Sequence, residues 1–243
     1  MDAFVDTQQT QSPRMAVVNG WQHPNTVEEN RVTHWLESDL ETMEQRFRAK
    51  LINSIAGFKP ALLVGTVDTL GRPNLAVFST IFHVGSAPPL LGLLVRPAPD
   101  KTQRHTLENI LAAKTYTFNH FPAHCAQAAH QTSARYPQGQ SEFAAAGFTA
   151  KWQAGFAAPF VADTSIQLGM ALVDHQVLIN STHLLIGHIT HLWVADDLIR
   201  GDGSVDLVKA DSTVVAGLDS YHSVNAGQRF SYAKVDGIPT PID

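Results

Sequence analysis

Polar and charged side chains between residues 74 and 110 are the part of this sequence best suited to binding an anionic small molecule. Arg96, Lys101, Arg104 and His105 follow a predicted strand and precede or begin a predicted helix. Free amides at a helix N-terminus, together with neighbouring arginines, commonly bind phosphate groups. The alternative is that these side chains are solvated charges at a helix end, which sequence position alone slightly favours.

The apolar runs around these residues predict the elements that position them. Residues 74–82 and 90–95 are strand candidates, because both are short, apolar and rich in strand-forming side chains. Residues 85–89 contain two prolines, which cannot donate to a β-ladder, so the sheet must break there. Residues 102–113 place apolar side chains at helical spacing, which predicts a helix.

Seven motifs follow one another between Phe58 and Tyr232. They are LLVGTVDTLGRPNLAVFST, GSAPPLLGLLVRP, RHTLENI, YTFNH, HQTSARYPQGQSEF, LLIGHI and GLDSYH. Their order and spacing resemble the flavin reductase-like family of FMN-binding split barrels, and especially its flavoredoxin-like branch. The resemblance covers most of the chain.

The resemblance implies a set of residues that bind FMN. They are Phe78, Ser79, Thr80, Arg96, Arg104, His105, Thr106, Asn119, Ser133 and Ala134. The first three would edge the isoalloxazine ring, where backbone amides and hydroxyls would serve its polar rim. Arg96 would close the pocket near the ring or the ribityl chain. No catalytic residue is assigned, because hydride transfer to a flavin requires no protein acid or base.

The resemblance also implies a phosphate site at Arg104, His105 and Thr106. Related chains often carry Lys-Asp-Thr at these positions. A histidine in place of the aspartate removes a negative charge beside the phosphate, so the exchange does not weaken phosphate binding, although it leaves the position without an acidic group. Ser133 and Ala134 would add loop contacts from the same subunit or from its partner.

Two further positions have alternative interpretations. Asn119 interrupts an apolar strand predicted at residues 116–121, and a buried amide there needs a hydrogen-bond partner. That partner is either a neighbouring backbone group or the phosphate or ribityl of the flavin, with neither favoured. Tyr221 and His222 either cover the flavin face where nicotinamide would stack or form a plain helical turn, which is the favoured interpretation.

The predicted fold class is α+β, mainly β. It is a six-stranded antiparallel split barrel with flanking helices and an N-terminal helical extension. Several long strands with short connections and few helices are typical of a barrel. Residues 1–243 are predicted to form one domain, with an N-terminal arm and helix at 1–57, the barrel core at 58–200 and a C-terminal segment at 201–243. An amphipathic helix is predicted at residues 32–55, covering the core.

The resemblance implies a flavin reductase-like oxidoreductase. Electrons would pass from NAD(P)H through FMN to an unidentified acceptor, and the protein would be a homodimer with the cofactor at its interface. The alternatives are a flavoredoxin-like carrier that does not use NAD(P)H directly and a haem-binding split barrel. A barrel acting on pyridoxine phosphate is a third alternative, although its motifs are not apparent.

Composition argues against several other classes of protein. The net charge of −5 and the absence of a basic block argue against a nucleic-acid partner. One cysteine, Cys125, excludes an intrachain disulfide. There is no apolar run long enough for a membrane helix and no recognisable signal peptide, so the cytoplasm is the expected location. The twelve histidines lack the spacing of a common metal motif, so no metal is expected.

Overall fold

The computed structural model of this protein describes residues 32–97, 105–137 and 139–242. The chain divides into two compact units between Met43 and Glu44. The described part of the first unit contains helix α1 (Glu37–Thr42), at whose start the Asp39 carboxylate accepts a hydrogen bond from the Leu36 amide, at 2.8 Å.

The second unit contains the sheet and the remaining helices. The helices are α2 (Gln45–Ile55), α3 (His105–Ala113), α4 (Ala126–Gln131) and α5 (Glu142–Ala145). The strands are β1 (Lys59–Pro60), β2 (Leu62–Val67), β3 (Pro73–Phe78), β4 (Ile81–Ser86), β5 (Pro89–Val95), β6 (Thr115–His120), β7 (Ala150–Lys151), β8 (Phe160–Val161), β9 (Ile166–Val177), β10 (His183–Val194), β11 (Val214–Ala216), β12 (Ser220–His222), β13 (Arg229–Phe230) and β14 (Pro241–Ile242).

The main sheet closes on itself. Its seven antiparallel segments have the order β3-β2-β6-β9-β10-β5-β4, so β3 and β4 lie at opposite edges. Only Ser79 and Thr80 separate these two segments in the chain, so the two edges must meet. The segments are therefore two halves of one strand, the first paired with β2 and the second with β5. The predicted six-stranded split barrel is confirmed, but the strand predicted at 74–82 is interrupted at residues 79–80.

The barrel interior is filled by apolar side chains from every strand of the main sheet. Residues of this core that are fully inaccessible include Val64, Leu93, Tyr116, Phe118 and Leu185. Burying one large apolar side chain contributes roughly 1.5–3 kcal/mol, so this layer is the main source of barrel stability.

The helix predicted at residues 32–55 is wrong in two respects. The chain forms two helices, because the Glu44 carboxylate accepts a hydrogen bond from the Phe47 amide, at 2.7 Å, and so caps a new helix. No residue of α2 is buried, and Phe47 and Ile55 are 54% and 70% exposed. The apolar spacing therefore identified an apolar face correctly but not what covers it.

The C-terminal segment is tied to the barrel at the end of β6. The His120 Nδ1 atom lies 2.6 Å from the Ser212 hydroxyl, and the Thr213 hydroxyl donates to the Phe121 carbonyl at 2.8 Å. Burial lowers the pKa of His120 to about 4, so its ring is neutral at pH 7. Next along the chain, β11 pairs with β1 and β12 pairs with β11, which brings residues 214–222 to the barrel surface.

Candidate functional site

A cavity of about 240 Å³ lies beside the interruption between β3 and β4. The chain provides its lining from the two halves of that strand, the end of β5, the region of α4, and the C-terminal segment. The lining residues are Val77, Phe78, Ser79, Thr80, Leu94, Val95, Arg96, His130, Ser133, Val215, Leu218 and Tyr221. The wall thus combines an apolar portion with hydroxyl, imidazole and guanidinium groups.

Hydrogen bonds between Thr80 and Leu94 of β5 fix the strand interruption. The Leu94 amide donates to the Thr80 carbonyl at 3.0 Å, and the Thr80 hydroxyl donates to the Leu94 carbonyl at 2.6 Å. Thr80 is therefore hydrogen-bonded to β5, whereas Phe78 is still paired with Leu62 of β2. Ser79 lies between the two pairings, at the point where the barrel changes partner and the cavity opens.

A positively charged rim borders the cavity. Arg96 donates from Nη2 to the Asn53 Oδ1 atom at 2.7 Å. Lys59 donates from Nζ to the carbonyls of Gly217, at 2.8 Å, and Asn53, at 3.3 Å. Burial, and then the positive charge of Arg96, lower the pKa of Lys59. Both cations bond to Asn53, so they lie close to one another.

An aromatic pair forms another part of the wall. The His130 Nδ1 atom lies 3.2 Å from the Tyr221 hydroxyl, and the rings meet edge to face with centroids 5.6 Å apart. Burial, followed by the negative charge of Asp219, raises the pKa of Tyr221, so the phenol is neutral at pH 7. This arrangement gives the cavity a wall of fixed aromatic geometry with hydrogen-bonding groups.

Comparison with known proteins identifies the family. The flavin reductase like domain model matches residues 58–212, which is more than half of the chain. The chain belongs to the flavin reductase-like family.

Solved structures of similar proteins share this fold. A protein assigned as a flavin reductase with a split-barrel domain, from Shewanella frigidimarina, is 41% identical with a TM-score of 0.79, over 83% of this chain and 100% of that one. Nitrilotriacetate monooxygenase component B from Bacillus cereus is 20% identical, with a TM-score of 0.72 over 81% and 98%. Flavoredoxin from Desulfovibrio vulgaris is 23% identical, with a TM-score of 0.60 over 74% and 91%. The last two support the fold alone.

Half of the residues predicted from the flavin reductase resemblance line the cavity. They are Phe78, Ser79, Thr80, Arg96 and Ser133. Ala134 follows in the turn after α4, where its amide donates to the Gln131 carbonyl at 3.1 Å, and it is not among the lining residues. The five lining residues come from three segments that are far apart in the sequence and meet at this cavity.

The predicted phosphate site is divided. His105 lines a separate, smaller pocket of about 40 Å³, together with Arg72 and Asp68. Thr106 is buried, and its hydroxyl accepts a hydrogen bond from the side-chain amide of Asn74 at 3.3 Å. Arg104 lies outside the described residues, as does Lys101, so the role of residues 104–106 in phosphate binding stays a prediction.

Asn119 does not line the cavity. Its side chain is fully buried, donates to the Leu63 carbonyl at 3.1 Å and to the Thr117 hydroxyl at 2.9 Å, and accepts from the Val161 amide at 3.0 Å. These bonds occupy both ends of the amide and tie β6 to β2 and β8. Of the two interpretations of this residue, these bonds favour the structural one, and its assignment to cofactor binding stays a prediction.

Sequence reasoning missed several residues of the site. His130 lies within one of the family motifs, but nothing in its local pattern distinguishes it from a surface histidine. Tyr221, in contrast, was named as a residue that could cover the flavin face, and it lines the cavity. It belongs to strand β12, so the favoured helical turn at residues 221–222 is wrong. Asn53 and Lys59 carried no signal, because their role depends on contacts with Arg96 and Gly217.

Two further properties concern the described ranges as a whole. None of their helices has the length and apolar character needed to cross a membrane. Within the same ranges, no group of three or more histidine, cysteine or acidic side chains is arranged to hold a metal ion.

Proposed function

We propose that this chain binds FMN in the cavity at the β3–β4 interruption and passes electrons from NAD(P)H through FMN to an acceptor. The observation that carries the proposal is the convergence of Phe78, Ser79, Thr80, Arg96 and Ser133 on one cavity. These residues were singled out by family motifs alone. The Desulfovibrio flavoredoxin and the Shewanella protein assigned as a flavin reductase, which share the fold, add support.

The chemical character of the cavity suits a flavin. Its apolar wall offers contact to a planar ring, and its hydroxyl, imidazole and cationic groups offer partners to polar atoms. Pockets for small ligands usually measure about 300–1,000 Å³. A cavity of about 240 Å³ would therefore enclose the ring portion, while the ribityl phosphate would extend from the mouth. When bound, FMN supplies the redox chemistry, and the chain supplies binding, orientation and exclusion of water.

Spectroscopy of the purified protein tests this proposal first. We expect two broad flavin bands in the near-ultraviolet and blue, and tighter binding of FMN than of FAD when the apoprotein is titrated. A sharp Soret band would instead support the haem-binding alternative. Equal affinity for the two flavins would contradict the choice of FMN.

Steady-state kinetics then test the reaction. We expect NADH or NADPH to be oxidised in the presence of FMN with free flavin, ferric chelates or quinones as acceptors. A protein that holds FMN and exchanges electrons with a chemical reductant, but oxidises neither nicotinamide, would be the flavoredoxin-like carrier.

The proposed functional unit is a homodimer. Helix α2, which supplies Asn53 to the charged rim, leaves Phe47 and Ile55 largely exposed in the single chain. An exposed apolar face on the helix that contacts Arg96 of the cavity wall suits a second copy, which would cover both the face and the cavity. Sedimentation at low protein concentration measures the assembly directly, and a flavin-loaded monomer would contradict the proposal.

A further inference from the structure

Lys59 and Arg96 form a pair of like charges for which the described residues provide no acidic partner. The two cations converge on Asn53, Lys59 at its main-chain carbonyl and Arg96 at its side-chain oxygen, at 3.3 and 2.7 Å. The third partner, the Gly217 carbonyl, is also uncharged. Arg72, Arg200, Lys209 and Arg229 are examples of cations in the described ranges that do form ion pairs with acidic side chains.

Two neighbouring cations are unfavourable unless a negatively charged group compensates for their repulsion. Placing two positive charges together costs free energy. The pKa of Lys59 is lowered first by burial and second by the charge of Arg96. The hydrogen bonds to neutral oxygens hold both side chains in place without cancelling their charge. Among the described residues, Lys59 donates two hydrogen bonds from an ammonium group that has three donors, and Arg96 donates one from a guanidinium group that has five. Both side chains therefore have further donors that no described residue accepts from.

We propose that Lys59 and Arg96 form a binding subsite for an anionic oxygen group, a phosphate monoester or a carboxylate, at the rim of the cavity. Arg96 lines the cavity, and Leu218, which follows the Lys59 partner Gly217, lines it as well. The guanidinium can donate two parallel hydrogen bonds to such a group, and the ammonium adds a point charge. Asn53 serves as the positioning residue for both cations.

Two ligands could supply this chemistry. One is the phosphate of the flavin, and the other is an anionic group on the second substrate that exchanges electrons with it. The link to either ligand rests on the proposed function, whereas the subsite itself rests only on the cation pair. The experiment therefore has one arm without flavin and one arm with it.

The flavin-free arm uses inorganic phosphate as the probe. Melting temperature is measured in millimolar phosphate, with chloride at matched ionic strength as the reference, for the wild type, Arg96→Gln, Lys59→Gln and Lys151→Gln. Glutamine retains a donor for the Asn53 or Gly217 oxygens, and Lys151 is an exposed lysine of β7 that serves as the matched control. We expect a saturable stabilisation in the wild type and in Lys151→Gln, with apparent phosphate affinity reduced about tenfold or more in the other two variants.

An equal phosphate response in all four proteins would overturn the proposal. If Lys59→Gln does not fold, Arg96→Gln decides alone, because Arg96 is exposed and its replacement leaves the core untouched.

The second arm compares riboflavin with FMN, which differ by the phosphate. If the flavin phosphate is the ligand, Arg96→Gln lowers FMN affinity about tenfold or more and leaves riboflavin affinity unchanged. If the second substrate supplies the anion, both flavin affinities stay the same, while phosphate still distinguishes Arg96→Gln from the wild type in the flavin-loaded protein. Loss of the phosphate difference in both arms overturns the subsite. Failure of the wild type to bind either flavin contradicts the proposed function alone, and the flavin-free arm still decides the subsite.

Discussion

Replacing Gly65 with alanine is expected to destabilise the barrel by about 3 kcal/mol. Gly65 lies in the middle of β2, paired with Leu75 and with Thr117. A methyl group here would collide with the carbonyl oxygen of Pro159 and lie 2.5 Å from the Thr117 hydroxyl oxygen. Because one of these atoms belongs to the backbone, rotating a side chain does not relieve the collision.

The same methyl group would also disturb a hydrogen bond. The Thr117 hydroxyl donates to the Pro159 carbonyl at 2.7 Å in the buried interior. Overpacking a core costs typically about 1–3 kcal/mol, and a lost buried hydrogen bond adds about 1 kcal/mol. In a less crowded strand, Gly→Ala would instead be expected to stabilise by restricting the unfolded chain. The predicted sign therefore depends on the close approach of Pro159 to β2.

Urea denaturation of the wild type, Gly65→Ala and Gly201→Ala measures this effect. A Cβ added at Gly201 has no heavy atom within 4 Å, so that variant should stay within about 0.5 kcal/mol of the wild type. Wild-type stability in Gly65→Ala would show that the segment carrying Pro159 does not pack against β2 as described.

Local sequence was sufficient to predict several strands of the barrel. The strands predicted at 90–95 and 116–121 form as Pro89–Val95 and Thr115–His120, because short apolar runs are typical of buried strands. The interruption at Ser79 was not predictable in this way. It arises because one continuous strand changes pairing partner from β2 to β5, which is a property of barrel closure and leaves no local signal.

The site was predictable only where family motifs reached it. Phe78, Ser79, Thr80 and Arg96 belong to contiguous motifs and line the cavity. Lys59 acquires its place through a contact with Gly217, 158 residues away in the chain, and no local pattern encodes such a contact. Contacts between residues that are distant in the sequence could therefore be identified only from the structure.

Replacing Asn119 with alanine separates the two roles that its position in an apolar strand allowed. The substitution removes an acceptor from the Val161 amide and a donor from the Leu63 carbonyl, and both of those residues are buried. Leaving a buried polar group without its partner costs about 1–3 kcal/mol. We therefore expect a loss of about 3 kcal/mol in the free energy of unfolding, with FMN affinity of the folded protein within about twofold of the wild type, because Asn119 does not line the cavity.

Urea denaturation and flavin fluorescence titration of the same preparations measure the two quantities. Asn225→Ala is the matched control, since Asn225 is exposed, and both of its values should equal those of the wild type. The titration is carried out without denaturant, at a temperature where circular dichroism shows Asn119→Ala to be folded, so that loss of folded protein is not mistaken for loss of affinity. A tenfold weaker affinity with unchanged stability would contradict the structural role, because the amide would then act on the flavin and its bonds to Leu63, Thr117 and Val161 would contribute little.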